Sequence, residues 1–253
     1  MQRFAFSFLK IAVVSYIGLC ATLFFYQRKL LYAPQPRADE SAPTLALATD
    51  AGSTLVSTRE IKGDKALLYF GGNAEDASSY MREFSASHPN HAIYLMHYRG
   101  FGGSSGTPSE VGLFKDALAL FDAAYAQHKE VVVIGVSLGS GIAAYLARHR
   151  PVARLILITP YDSILNIGAG KFPWAPVRWL LHDKYESWRY APQISAPTLL
   201  IAAANDNLIP LKHTQALHGA FAKGVATLKI IANEDHNSIG GNAEYLALIG
   251  QFQ

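Results

Sequence analysis

The sequence predicts an α/β fold, a mostly parallel, doubly wound sheet. Three observations carry this: short apolar runs, amphipathic stretches between them, and a composition that can fill a large core. Half of the 253 residues are apolar and 16% are charged, which excludes a disordered, collagen-like or low-complexity chain. A single unit of this length would bury roughly 70–75% of its unfolded surface. The one cysteine, Cys20, excludes an internal disulfide framework and a thiolate cluster for zinc or iron–sulfur. It leaves the redox compartment open.

Taken from the N-terminus, residues 11–26 are uncharged, and extending back to Phe4 adds only Lys10 as an interruption. Those 23 residues would make about 34 Å of helix, enough to cross a hydrocarbon layer of about 30 Å with some tilt. Lys10 is close enough to the start for its stem to snorkel to the interface. A signal peptide would need a small-residue cleavage site after the run, and a lipoprotein signal a small residue where Leu19 precedes Cys20. A buried core helix would rarely be apolar on every face. A single transmembrane anchor over 4–26 is therefore expected, with the other two readings as alternatives. Basic residues on both flanks leave open which membrane face carries the folded domain. Residues 27–43 contain three prolines and mixed polarity and read as a linker, which starts the folded domain at 44–253.

Charge supports this division. Arg3, Lys10, Arg28, Lys29 and Arg37 are unopposed in the first 37 residues, so the remaining chain holds 17 basic groups against all 19 acidic ones. A nucleic-acid partner is not expected, because its basic surface would lie on the folded body.

Within the domain, 44–61 should supply one or two leading strands. The runs 66–70, 92–95, 131–135, 155–159, 198–202 and 227–231 suit strands covered on both faces. Val111, Phe114, Ala117, Leu118, Phe121 and Tyr125 recur at helical spacing over 110–127, and Thr107-Pro-Ser-Glu110 reads as its capping box with Pro at N1. A second helix should cover 137–149. Strand–helix alternation of this kind gives right-handed crossovers. Between Thr159 and Thr198 the interval is too long for one crossover helix and holds Trp174, Trp179 and Trp188, with Phe172, Tyr185 and Tyr190. An insert there, about 164–194, is expected to form a short helical cap. Its aromatics suit contact with a lipophilic acyl group and packing of the cap's own small core equally well.

The sharpest chemical signal is Gly135-Val136-Ser137-Leu138-Gly139, a G-x-S-x-G placed between an apolar strand and a helix. That setting is what a nucleophile elbow requires, with Ser strained on the turn and the Leu138 N–H aimed at a developing oxyanion. Elsewhere it would be an ordinary glycine-rich turn. The base and acid of such an elbow follow in the order Ser, Asp/Glu, His. His236 comes just past the last strand, and Asp206 follows the strand at 198–202, so both would share one sheet edge with Ser137. Asp162 is a rival acid; Asp235 adjoins His236 but would point elsewhere; His97 precedes Ser137 in the chain. His88/His91 and His213/His218 lack a third ligand, so no metal or cofactor is expected. Gly71-Gly72-Asn73-Ala74 directly follows a strand and could bring a second oxyanion donor.

These residues resemble the α/β-hydrolase superfamily, in the branch of membrane-anchored abhydrolase-domain serine hydrolases that includes lipases and protein depalmitoylases. The likeness runs from about Gln27 to Phe252. It includes Lys29-Leu-Leu-Tyr-Ala-Pro-Gln-Pro36, Gly71-Gly-Asn-Ala-Glu75, Tyr98-Arg-Gly-Phe-Gly-Gly-Ser104, Pro108-Ser-Glu110, the elbow, Pro160-Tyr-Asp-Ser163, Asp206 with Ile209-Pro210, and His236-Asn237. The resemblance implies nucleophile Ser137, acid Asp206 and base His236, with backbone donors at Asn73 and Leu138. It implies cleavage of lipid or small-molecule esters or thioesters beside a membrane. Many relatives have His-Gly-Asn at 71–73 and Asp at 97, where this chain has Gly71 and His97; these departures bear on how the oxyanion loop is anchored. An aminopeptidase-like activity and a non-catalytic binding module are the alternatives. A His236–Ser137 separation beyond about 4 Å with no way to close would favour the latter.

Overall fold

The computed structural model describes residues 2–252. Its centre is an eight-stranded sheet built from β1 (Thr44–Thr49), β2 (Gly52–Arg59), β3 (Lys65–Phe70), β4 (Ala92–Met96), β5 (Glu130–Val136), β6 (Arg154–Ile158), β7 (Thr198–Ala203) and β8 (Ala226–Ile231). The order across the sheet is β1-β2-β4-β3-β5-β6-β7-β8. β2 pairs antiparallel with β1 and β4, and every pairing from β4 to β8 is parallel. Each apolar run expected as a strand is one, and 44–61 supplies two.

The strands are apolar without alternation because both faces are covered. On β5, Val131 and Val133 face one core, while Val132 and Ile134 face the other. The first core lies under α3 (Glu110–Gln127), α4 (Leu138–His149) and α8 (Leu211–Ala220). The second lies under α2 (Met81–Ser87) and α9 (Ala243–Gln251). The parallel register sets Phe70 of β3 opposite Gly135 of β5, and Gly135 opposite Leu157 of β6. The chain therefore leaves these neighbouring strands at one edge of the sheet, where open α/β sheets place their ligands.

Three further helices form the insert after β6: α5 (Ile164–Lys171), α6 (Val177–Leu180) and α7 (Ser187–Tyr190). They form the short cap the sequence predicts. Tyr185 and Tyr161 are fully buried under it, while Trp174 and Trp179 are 45% and 86% exposed. The cap's core is thus made by tyrosines and aliphatics, and all three of its tryptophans are exposed.

Two local expectations are corrected. The N-cap of α3 is Ser109, whose hydroxyl accepts the Gly112 N–H, and not Thr107. Glu110 cannot close the expected box because its carboxylate accepts the N–H groups of Lys184 (2.7 Å) and Tyr185 (3.0 Å) in the cap. The N-terminal helix α1 (Gln2–Leu31) extends past Tyr26 through the first residues expected as linker. Tyr32 then enters the main core, with its hydroxyl 2.8 Å from that of Tyr185. Packing overrides composition here. Among the described residues, one helical stretch, Phe6–Leu31, is long and apolar enough to cross a membrane.

Candidate active site

Three strand ends and the loop after β3 build the site. Past β5, Ser137 takes φ 49° and ψ −115° before α4 opens at Leu138. A positive φ is strained for a residue with a Cβ, and it persists only where the surroundings enforce it. Here the glycines allow the enforcement: a Cβ on Gly139 would overlap the Phe70 carbonyl, and one on Gly135 would overlap Gly139 and Ala143. The Ser137 N–H donates to Ile158 O at 2.9 Å, and its carbonyl accepts from the Ser140 N–H (2.9 Å) and hydroxyl (2.6 Å). The turn is bonded on both sides.

Past β7, Asp206 folds over its own loop. Oδ1 accepts the N–H groups of Leu208 (2.9 Å) and Ile209 (2.7 Å), which leaves Oδ2 for His236 Nδ1 at 2.7 Å. The loop past β8 is tied to it by Asn205 N–H donating to Glu234 O at 2.9 Å. That loop is further stiffened by Asp235, whose carboxylate accepts the Asn237 and Ser238 N–H groups, and these bonds hold its pKa below the usual range. His236 is thereby turned so that Nε2 lies 3.0 Å from Ser137 Oγ. With its proton on Nδ1 beside the carboxylate, the ring presents Nε2 as acceptor to the hydroxyl. The side chains of Asp206 and His236 are 3% and 11% exposed.

The N–H groups of Asn73 and Leu138 donate to no other group among the described residues, and both residues line the cleft above Ser137. That of Leu138 stands at the N-terminus of α4, where the helix favours negative charge. The loop before Asn73 is anchored without the histidine many relatives carry. Gly71 O accepts from the Tyr98 hydroxyl (2.7 Å) and the Gly139 N–H (3.1 Å). Gly72 N–H donates to Glu75 Oε2 at 3.1 Å, while the Tyr69 hydroxyl donates to Glu75 Oε1. Burial raises the pKa of the Glu75 carboxyl and that of the Tyr98 phenol. Asn73 itself is clamped: its Nδ2 donates to Leu31 O, and its carbonyl accepts the Ala33 N–H, each at 3.0 Å.

The other candidates lie apart. Asp162 is engaged by His213 Nδ1 (2.7 Å) and Asn166 Nδ2 (2.6 Å). His97 shares a hydrogen bond with Ser57 at 2.8 Å and lies 3.9 Å from the Asp76 carboxylate. His88 and His91 sit edge to face, buried beside Arg59, and His218 lies near Ala226 O. Among the described residues no group of three or more His, Cys, Asp or Glu could hold a metal ion.

Above Ser137 and Leu138 opens an apolar cleft of about 290 Å³. One wall is α5 and α6 of the cap with Leu208 and Ile209, and the other is α1. Sequence reasoning missed the α1 wall. Within a uniformly apolar run no residue stands out as facing protein; the lone amide Gln27 at its end was the one available signal.

A sheet of this order with a strained serine after β5 defines a hydrolase architecture, and the comparisons agree. The family model described as alpha/beta hydrolase fold matches residues 65–184. An uncharacterised protein of Mycobacterium tuberculosis is 33% identical over 232 residues, covering 84% of this chain and 82% of the relative. The chain belongs to the α/β-hydrolase fold family. The alpha/beta hydrolase domain-containing protein aho-3 of Caenorhabditis elegans is 28% identical over 193 residues, 74% of this chain and 56% of that protein. The Pyrococcus furiosus esterase Pf2001 shares the fold at a TM-score of 0.67 and 17% identity, over 87% of this chain and 97% of the esterase.

Proposed function

We propose that this protein is a serine hydrolase that cleaves carboxylic esters or thioesters of lipophilic acyl groups through an acyl-enzyme on Ser137. The observation that carries the reading is the continuous relay from Asp206 to His236 (2.7 Å) to Ser137 (3.0 Å). It stands beneath an apolar cleft that also contains two unengaged backbone N–H groups.

In this mechanism Ser137 Oγ attacks the acyl carbonyl carbon as its proton passes to His236 Nε2. The imidazolium is stabilised by Asp206, and the oxyanion is held by the Asn73 and Leu138 N–H groups. Collapse breaks the bond to the alcohol or thiol, which leaves with the proton from His236. Water, deprotonated by the same nitrogen, then attacks the acyl-enzyme, and the acid departs as Ser137 regains its proton. In the same reading, 4–26 of α1 is a single-pass membrane anchor, 27–43 joins it to the body, and 44–253 is the catalytic domain.

The residues lining the cleft include no carboxylate, which weighs against capture of a peptide's N-terminal amine. A non-catalytic role is disfavoured by a His236–Ser137 contact at hydrogen-bond distance. The test is labelling by a fluorophosphonate probe, followed by turnover of p-nitrophenyl esters and acyl thioesters. Ser137→Ala and His236→Ala should abolish labelling and lower kcat by about 10⁴-fold or more, with Asp206→Asn costing somewhat less. Ser137→Ala activity within a few-fold of wild type would end the reading.

A further inference from the structure

The cleft is not a pocket of the catalytic domain alone. Leu23, Phe24, Gln27, Leu30 and Leu31 of α1 line it, recurring at the three- and four-residue spacing of a single helix face. The same stripe continues through half-buried Cys20 to Tyr16, whose hydroxyl donates to Trp174 O of the cap at 2.9 Å. From Leu31 to Tyr16, α1 therefore runs beside the cap for about 22 Å.

This contact is fastened by polar groups that a mere tether would not need. Gln27 Nε2 donates to Leu180 O (3.1 Å) and its Oε1 accepts the His182 N–H (2.7 Å). Arg28 pairs with the buried Asp183 at 2.8 Å. Yet the apolar side chains above these bonds leave the space between α1 and the cap unfilled, where a packing seam would close. Its volume of about 290 Å³ equals the share of about ten water molecules in the liquid. The outer faces of α1 are exposed and apolar, and the exposed apolar surface continues onto the cap at Phe172, Trp174 and Trp179. Aromatic residues of this kind favour the lipid–water interface.

We propose that α1 is part of the substrate site: the acyl chain lies between α1 and the cap, and it arrives sideways from the lipid around α1. Its carbonyl rests at Ser137 and its far end at the level of Leu23, about 12 Å along the helix from Leu31. The substrate class is a long-chain acyl ester or thioester whose chain is already in the bilayer. This deepens the Ser137 acyl-enzyme reading and rests on it.

The test uses the full chain in phosphatidylcholine vesicles, with p-nitrophenyl esters from butyryl to palmitoyl and active sites counted by fluorophosphonate labelling. Leu23→Trp fills the far end of the channel and should lower the palmitoyl-to-butyryl ratio of kcat/KM at least tenfold. Leu23→Ala lengthens the channel and should move the preferred chain upward. Phe25→Trp, on the opposite, exposed face of the same helix, should keep the wild-type ratio. A chain-length profile untouched by either Leu23 variant overturns the proposal, as does a fall in the ratio that Phe25→Trp reproduces. Wild-type protein that neither labels nor hydrolyses any ester overturns instead the Ser137 reading beneath it.

Discussion

Asn73 has two partners from the end of α1 and none from its own loop, so the position of its N–H depends on a distant residue. Asn73→Ala keeps the backbone donor and the bond from the Ala33 N–H but loses the amide's bond to Leu31 O. We expect kcat on a short ester to fall about tenfold with KM within about twofold, less than the loss of a donor itself; steady-state kinetics decide it. Gly139→Ala should prevent folding of the elbow, because its Cβ would meet the Phe70 carbonyl, a backbone atom that cannot yield. Loss of soluble, cooperatively melting protein is the readout. Ser137 was legible in the sequence because strand, turn and helix are contiguous there. Asp206 was the acid the sequence favoured, with Asp162 as a rival, and their partners separate them: the first accepts two N–H groups of its own loop and reaches His236, the second is engaged by His213. The clamp on Asn73 was not legible, since Leu31 is 42 residues away.

At the scale of elements, periodicity located the strands and helices well, because burial on both faces leaves an unbroken apolar run. The start of α3 was misassigned because two hydroxyl residues precede Glu110, and only the cap's demand for its carboxylate decides between them. The turn from α2 into β4 carries a further consequence. Arg59 donates to the carbonyls of Ser85, His88 and His91, which leaves the rings of His88 and His91 buried. Burial lowers the His88 pKa from 6.5 to about 4, and it lowers those of His91 and His97 as well. Between those two values the unfolded chain binds more protons than the folded one. Stability is therefore complete above the unfolded value and is lost as pH falls toward the folded value. His88 contributes at most about 3 kcal/mol to that loss. His88→Phe should flatten the decline of Tm between pH 7 and 5; a slope equal to wild type would count against this account.

At the scale of the whole molecule, the division into anchor, linker and domain is less clean than composition suggests. Tyr32 is buried among Tyr185 and its neighbours, and Arg28 meets Asp183. A chain beginning at residue 38 would lose one wall of the cleft together with the clamp on Asn73. It should react with fluorophosphonate at least tenfold more slowly per folded molecule than the full chain, and a rate within twofold would show α1 to be dispensable. The sheet's architecture was legible from the alternation of its elements, whereas this joint was not. A helix that faces protein on one side and solvent or lipid on the other can be apolar on both, so its sequence does not reveal which side is which.

The fastening of α1 at Gln27 and Arg28 has a mechanical meaning. A free membrane helix meets a change in bilayer thickness by tilting, at a cost of fractions of a kcal/mol per ångström of mismatch. Bolted to the cap, α1 cannot tilt without carrying the sheet with it. With α1 in a bilayer, thickness would then set the height at which the cleft meets the acyl chains, and turnover in vesicles of graded lipid length should pass through a maximum.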